Sequence, residues 1–171
     1  MINQEVIVNQ QLQERIHYDN PDFPLARFID EMDYFVDGEF LCHWHPEFEL
    51  AIILKGGIEY QVDQQVFRLH QGEGIFITSR ALHSARQLIP GSIIFNIEFP
   101  SSLFHTIGTS FLYQNYFNPS SLKKMGSWKI LPENEEGSEI LERLMHIHSS
   151  DPDKYAYELL CMEDILHIWR N

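Results

Sequence analysis

The sequence is poor in cysteine and has no long apolar run. Its two cysteines, Cys42 and Cys161, are too few and too far apart to suggest a disulfide framework. The longest apolar run of the central region, Leu50 to Leu54, is far shorter than the ~20 residues that a membrane-spanning helix needs. The amino terminus lacks the basic start and apolar core of a secretory signal peptide. These absences predict a protein of the reduced cytoplasm.

Basic residues are also scarce. The chain has 12 Lys and Arg against 25 Asp and Glu, which gives a formal net charge of −13. Only Lys123 and Lys124 are adjacent, whereas contacts with nucleic-acid phosphates need clustered basic residues. We therefore expect no DNA binding and no membrane binding by this segment itself. Its 44% of apolar residues predicts a folded domain with a sizeable core.

Residues 25–99 have the composition of short antiparallel strands in a sandwich or barrel. They are rich in β-branched and aromatic residues and are broken about every ten residues by Gly, Pro or Asp. Lys55–Gly57 and Gln71–Gly74 are predicted turns, because glycine accepts positive φ without steric cost. The predicted strands are Leu25–Glu31, Glu39–His45, Phe48–Leu54, Ile58–Val62, Val66–His70, Gly74–Thr78, His83–Leu88 and Ser92–Phe99.

The pattern becomes helical toward the carboxyl end. Short helical turns are predicted around Ser102–Ile107 and Ser110–Tyr116. From Glu133 onward the apolar residues recur at helical spacing. A second helix is predicted to open with Ser150 or Asp151 as its cap and Pro152 in its first turn. Two neighbouring helices joined by a short turn form an antiparallel hairpin.

The second predicted helix carries a coiled-coil-like seam. Apolar residues recur in it at alternating spacings of about four and three. The seam residues are Tyr155, Leu159, Met162, Leu166 and Trp169. One interpretation is that the hairpin merely covers the barrel. We favour the other, in which these residues also form a homodimer interface, because two apolar helices exceed what so small a barrel needs.

A group of metal-ligand residue types lies in the stretch HWHPEFEL. His43 and His45 are two residues apart on a predicted strand, so their side chains share one face. Glu49 begins the next strand beside them, and His83 begins a later one. We expect these four side chains to converge inside the barrel. Imidazole and carboxylate groups suit transition metals, but they can equally hydrogen-bond a polar effector.

These residues occur in an order that resembles the two motifs of the cupin superfamily, which are small double-stranded β-helix (jelly-roll) barrels. The pattern reads G-x4-H-x-H-x3-E-x6-G over 38–56, then G-x8-H over 74–83. In metal-dependent cupins the counterparts of His43, His45, Glu49 and His83 are the metal ligands. The sequence departs from the second motif, since Ser79-Arg80-Ala81 replaces its proline and Gln87 stands where asparagine is common.

A closer resemblance, from about Asn20 onward, is to the amino-terminal half of arabinose-operon-regulator (AraC) family transcription factors. It is carried by FPLARF, by the stretch from HWHPEFEL to RALHS, by IIFNIEFP and by the helical tail. The resemblance implies an effector-binding barrel over 1–132, often for a sugar, and a dimerisation hairpin over 133–171. It also implies a separate DNA-binding domain with two helix-turn-helix units beyond residue 171. The effector-binding residues would be His43, His45, Glu49, His83 and Gln87.

Two functions therefore remain open at this point. In the first, the chain is the sensing and dimerisation domain of a transcription regulator, without catalysis or a required cofactor. In the second, it is a small cupin enzyme, such as a dioxygenase or sugar isomerase, with a divalent transition metal held by the four motif residues. The helical tail favours the first and the intact set of ligand-type residues favours the second.

Other conspicuous residues are predicted to have structural roles. His146 and His148 would lie about 200° apart on a helix, so they cannot share an ion and are expected at the surface. Cys42 alternates with His43 and is predicted to pack on the opposite face, and Cys161 is predicted to lie in the core. Asn96 shares a strand face with Glu98, and alternation does not decide whether this face meets the barrel interior or solvent.

Overall fold

Two antiparallel sheets facing each other form the main body of the protein. The computed structural model describes residues 6–106, 110–117 and 126–171. The strand order is β1-β8-β3-β6-β9 in the first sheet and β2-β7-β4-β5 in the second. The strands are β1 Ala26–Glu31, β2 Glu39–His43, β3 Phe48–Lys55, β4 Gly57–Val62, β5 Gln65–His70, β6 Gly74–Ile77, β7 His83–Gln87, β8 Ile93–Phe99 and β9 Trp128–Ile130.

The first sheet separates two apolar clusters, and strand alternation produces this division. On β8, Ile94 faces the second sheet and joins the barrel core, which includes Ile53 and Tyr60. Phe95 and Ile97 point to the other side, where they join the cluster that contains the carboxyl-terminal helices. The sheet is therefore covered on both faces, which explains why β8 and β3 are almost entirely buried.

The predicted mainly β, cupin-like jelly roll is confirmed. Each predicted strand is present, and its ends differ from the prediction by no more than about two residues. β9 was not predicted, because three residues are too few to show alternation. The predicted helical turns occur as a 3₁₀ helix, Ser101–Thr106, and as α1, Ser110–Leu112, which continues as a π-helical turn, Tyr113–Phe117. Ile107 lies outside the described residues.

The carboxyl-terminal helices are α2, Glu135–Ser149, and α3, Tyr157–Arg170. α2 is capped by Asn134, whose side chain accepts a hydrogen bond from the amide of Gly137. The two helices pack against each other as predicted and cover the outer face of the first sheet. No helix in the described part of the chain is long and apolar enough to cross a membrane.

The predicted start of the second helix was wrong. Ser150 closes α2 instead, because its amide and its hydroxyl both donate to the carbonyl oxygen of Ile147. Asp151 and Pro152 lie in the turns that follow, and the helix begins only after Ala156, which has a φ of 64°. The hairpin connection is consequently longer than the sequence pattern indicated.

Arg27 ties the barrel to the hairpin. Its guanidinium donates to the carbonyl oxygens of Ile147 and Ser150 at 2.9 and 3.2 Å and lies 4.8 Å from the ring centre of Tyr157. At the other end of α3, Trp169 packs against the rings of Phe48 and Phe104. The hairpin is thus held against the first sheet at both ends of α3.

Candidate functional site

The structure brings the four motif residues together between the two sheets. His43 on β2 and His83 on β7 are cross-strand partners, and their ring centres are 4.2 Å apart. Glu49 reaches them from β3 of the opposite sheet, with its Oε2 3.3 Å from His83 Nε2 and 3.6 Å from His45 Nε2. All four side chains are buried. We call these four residues the histidine cluster.

Backbone carbonyls orient two of its imidazoles. His43 Nδ1 lies 2.7 Å from the carbonyl oxygen of Leu41, and His83 Nδ1 lies 3.0 Å from that of Ala81. Since a carbonyl only accepts, each Nδ1 carries the proton and donates it. Nε2 of each ring therefore faces the interior. A neutral ring presents a lone pair there, whereas a protonated ring donates from Nε2, and the same ring orientation is found around metal-binding histidines.

The charge states within the cluster are strongly perturbed. Burial, followed by the neighbouring His83, lowers the pKa of His43 to about 4. Burial also acts to raise the pKa of Glu49, but the adjacent His45 and His83 outweigh it and hold that pKa below its usual range. Burial opposes protonation of His83, yet the hydrogen bond and charge of Glu49 raise its pKa above the ordinary value. Glu49 and His83 thus favour an ionised pair, with His43 neutral.

Two acidic residues that the sequence did not reveal complete the wall nearest the amino terminus. Glu14 Oε2 lies 3.2 Å from His43 Nε2, and its amide donates to the carbonyl of Trp44. Glu47 Oε2 lies 3.6 Å from His45 Nδ1, while its Oε1 accepts a hydrogen bond from the Tyr18 hydroxyl. Glu14 precedes the first strand and Glu47 lies in a turn, so no periodic pattern pointed to either.

β8 supplies the opposite wall. Glu98 is the direct cross-strand partner of Glu49, and Asn96 donates to Asp30 on β1 at 3.1 Å. Both are buried, so the polar face of β8 meets the interior and not solvent. Burial, reinforced by the charge of Glu49 and other carboxylates, raises the pKa of Glu98 well above its ordinary value.

Several buried polar atoms around the cluster have no hydrogen-bond partner within the described part of the chain. They include both ring nitrogens of His45, the Tyr60 hydroxyl and Glu47 Oε2. Buried polar groups are normally satisfied by protein, water or ligand. Glu14 and Glu47 also line an opening of about 1190 Å³ beside the amino-terminal segment. The interior therefore offers unsatisfied hydrogen-bonding groups close to two residues that also line this cavity.

The donor set also fits a metal ion. Ligand atoms of His43, His45 and His83 lie within 4.8 Å of one another, and so do those of His45, Glu49 and Glu98. Imidazole nitrogen and carboxylate oxygen are ordinary ligands of zinc, iron and manganese. The three histidines, with Glu49 as a fourth ligand, are the residues that would hold such an ion.

Gln87 is not brought to the histidine cluster. It lies at the other end of β7 from His83, is half-buried, and donates from its side-chain amide to Asp33 at 3.1 Å. Its predicted role in effector binding therefore has no support from this geometry. Cys42 is exposed, so the prediction that it packs on the opposite face was wrong, whereas the predicted burial of Cys161 is confirmed.

The expectation that His146 and His148 lie at the surface is confirmed for His146, which is exposed, whereas His148 is half-buried. His146 Nδ1 is 2.7 Å from Oδ2 of the buried Asp164, which links α2 to α3. His148 packs edge-on against Phe95, with ring centres 4.8 Å apart. The two histidines point to different neighbours, so they do not form a shared site.

The predicted dimerisation residues differ in their environments. Tyr155 is fully exposed but precedes α3, and Leu159 on the first turn of α3 is 72% exposed. Met162, Leu166 and Trp169 are partly buried against the core of their own chain. The seam is therefore not one continuous free ridge, and dimerisation through it stays a prediction that now centres on Leu159.

Comparison with known proteins agrees with this architecture. The AraC-like ligand binding domain family matches residues 35–168. The uncharacterized HTH-type transcriptional regulator YdeC of Bacillus subtilis (strain 168) is 26% identical over an alignment of 171 residues. The alignment covers 96% of this chain and 57% of that protein. The chain thus spans little more than half the length of this curated relative.

Two solved structures have a similar fold. KdgF from Halomonas sp. is 17% identical over 46% of this chain and 71% of its own, with a TM-score of 0.40. The Cnp3 cupin domain of Schizosaccharomyces pombe is 16% identical over 56% of this chain and 70% of its own, with a TM-score of 0.43. The family match includes the histidine cluster and most of both helices, and the chain belongs to the AraC-like ligand binding domain family.

Proposed function

We propose that this chain is the effector-sensing and dimerisation domain of a cytoplasmic transcription regulator. A small polar molecule, with sugars among the candidates, binds inside the barrel and controls a DNA-binding domain elsewhere in the protein. The observation that carries the proposal is the buried histidine cluster, in which the ring nitrogens of His45 make no hydrogen bond, together with the unsatisfied hydroxyl of the nearby Tyr60. Such groups gain hydrogen bonds from a polar ligand without any further folding.

β8 provides a physical route from the site to the hairpin. Asn96 and Glu98 face the site. Phe95 and Ile97, which alternate with them along β8, face the other side and pack in the apolar cluster that contains the helices. A ligand that shifts Glu98 would therefore move side chains that contact the hairpin. Coupling of this kind needs a ligand that binds two arrangements of the hairpin with different affinity.

The proposal is tested with site variants in a regulator that contains this domain. His43→Ala and Glu49→Gln should abolish the transcriptional response to the effector while the melting temperature changes little. Glu39→Gln is the matched control, because Glu39 lies on the same strand as His43 but is exposed. A full response in both site variants would contradict an effector site at the histidine cluster.

The second candidate function is a small metal-dependent enzyme. It is favoured by the convergence of one ring nitrogen from each of His43, His45 and His83, two of these rings being oriented by backbone carbonyls. Elemental analysis of protein purified without an affinity tag would find about one ion per chain, and chelation would lower the melting temperature. The sensing proposal instead expects no stoichiometric metal and no effect of chelation. A bound iron or manganese ion together with substrate turnover would replace the sensor by the enzyme.

A further inference from the structure

The interior around the histidine cluster is unusually acidic. Five buried carboxyl side chains line it or lie against its walls: Glu14, Asp30, Glu47, Glu49 and Glu98. Three imidazoles face them, so even full protonation of every ring leaves the acidic groups in excess. No Lys or Arg in the described part of the chain is buried. The protein's own cations therefore do not balance this interior.

The carboxyl groups are close enough to act on one ligand. Glu49 and Glu98 are directly opposed across β3 and β8, and each has a carboxyl oxygen within 4.8 Å of a ring nitrogen of His45. Glu47 approaches the same ring from its other side, with 3.6 Å between Glu47 Oε2 and His45 Nδ1. Glu14 is 3.2 Å from His43. Burial and the neighbouring carboxylates raise the pKa of Glu98, and a positive group between these carboxyl groups would relieve their repulsion and favour the ionised form.

A separate observation shows that hydrogen-bonding groups remain available to a ligand here. His45 is 2% exposed, yet neither of its ring nitrogens makes a hydrogen bond. The Tyr60 hydroxyl is also buried without a hydrogen-bond partner, and it lies on the strand that pairs with β7. These groups can accept from or donate to a bound molecule between the two sheets, in the same interior that the carboxyl groups line.

The buried side chains around the histidine cluster suit a positively charged ligand better than an anionic or a neutral one. A carboxylate or phosphate ligand needs arginine, lysine or a row of backbone amides, and no buried lysine or arginine is present among the described residues. A neutral polyol could accept hydrogen bonds from the imidazoles but would bring no positive charge to the carboxyl groups. An ammonium group has three donors and a positive charge, and carboxylates such as Glu47, Glu49 and Glu98 can accept from it.

Resting on the sensing function proposed above, we propose that the effector is a small polar molecule with a protonated amino group, held by Glu47, Glu49 and Glu98. The imidazoles of His43 and His45 contact its hydroxyl or other polar substituents. Amino sugars and short polyamines belong to this chemical class, whereas sugar acids do not. Recognition by opposed carboxylates makes the ammonium group, and not the carbon skeleton, the main determinant of affinity.

The test uses the whole 171-residue chain and the melting temperature as readout. A small-molecule extract of Bacillus subtilis, the source of the curated relative, is divided into fractions that bind a cation exchanger, bind an anion exchanger or bind neither. We expect the cation-exchange fraction to raise the melting temperature by about 2–4 °C or more. This shift should survive treatment with a chelating resin and should disappear after acetic anhydride, which neutralises primary amines.

The variants give a second readout. Glu47→Gln and Glu49→Gln, each compared with its own unliganded melting temperature, should at least halve the shift, whereas exposed Glu39→Gln should retain it. A shift produced only by the anionic or unbound fraction would overturn the amine assignment and leave the sensing function intact. A shift removed by the chelating resin would overturn it in favour of a metal ion. If no fraction shifts the protein, the sensing function fails, and this inference with it.

Discussion

Arg27 connects β1 with both helices of the hairpin. It donates to the last carbonyls of α2 and lies over the ring of Tyr157 on α3. A guanidinium combines several donors with a stacking face, which neither lysine nor an apolar residue reproduces. The side chain also favours the carboxyl end of α2, where the helix dipole is negative.

We therefore predict that Arg27→Met lowers the free energy of unfolding by about 2 kcal/mol, because it removes the guanidinium hydrogen bonds to the carbonyls of Ile147 and Ser150 and the contact with the Tyr157 ring. Urea unfolding followed by circular dichroism measures this change. Arg68→Met is the matched control, since Arg68 is largely exposed and pairs only with Glu59 at the surface. Equal losses for the two variants would show that Arg27 has no special role.

His148 should make the protein sensitive to mild acid. Burial and the nearby Arg27 lower the pKa of His148 below its ordinary value of 6.5. Because the folded state takes up the proton less readily than the unfolded state, stability falls as the pH drops through about 6.5. We expect His148→Gln to lose less stability between pH 7 and pH 5, as measured by urea midpoints. Parallel pH profiles for the variant and the wild type would contradict this assignment.

Some residues of the site could be located from the sequence and others could not. His43, His45, Glu49 and His83 could be placed together because strand alternation and strand starts fix their directions. Glu14 could not, since it reaches His43 through a non-strand segment that pairs with Trp44. Such contacts depend on how a segment without periodicity crosses the barrel, and the local sequence does not predict that course.

At the level of elements, patterns located the strands and helices better than their connections. Alternation predicted β8 almost to the residue, and both sides of that strand are now accounted for. The three residues of β9 add to the edge of the first sheet through pairing with β6, a tertiary event that a short segment does not signal. Ser150 was predicted to cap the second helix, but it closes the first, where its hydroxyl also accepts a hydrogen bond from Arg27.

Leu159 is an exposed apolar residue on α3 whose exposure a dimer interface would explain. We predict that the domain is dimeric at high micromolar concentration and that Leu159→Asp makes it monomeric, because a carboxylate would be buried without a partner. Light scattering measures both states. Met145→Asp adds the same charge to a half-exposed apolar position on α2 and should leave the dimer intact. A monomeric wild-type domain would rule out this interface.

At the scale of the whole molecule, the negative net charge predicts that these residues do not themselves bind DNA. With a net charge of −13 and dispersed basic residues, the 171 residues should not retard a DNA duplex even at low salt. A longer protein that joins this domain to a helix-turn-helix domain should retard its operator, and that binding should weaken as salt increases. Gel-shift titration distinguishes the two. Binding by the isolated chain would contradict the proposed division of labour.

The contrast between the two cysteines makes this protein convenient to follow by fluorescence. Cys42 is exposed one residue before His43, whereas Cys161 is completely buried and burial raises the pKa of its thiol. A maleimide dye should therefore attach at Cys42 alone, without engineering of the chain. Dye at this position lies next to His43 on β2, so the native protein has a built-in attachment point for an optical biosensor of its own effector.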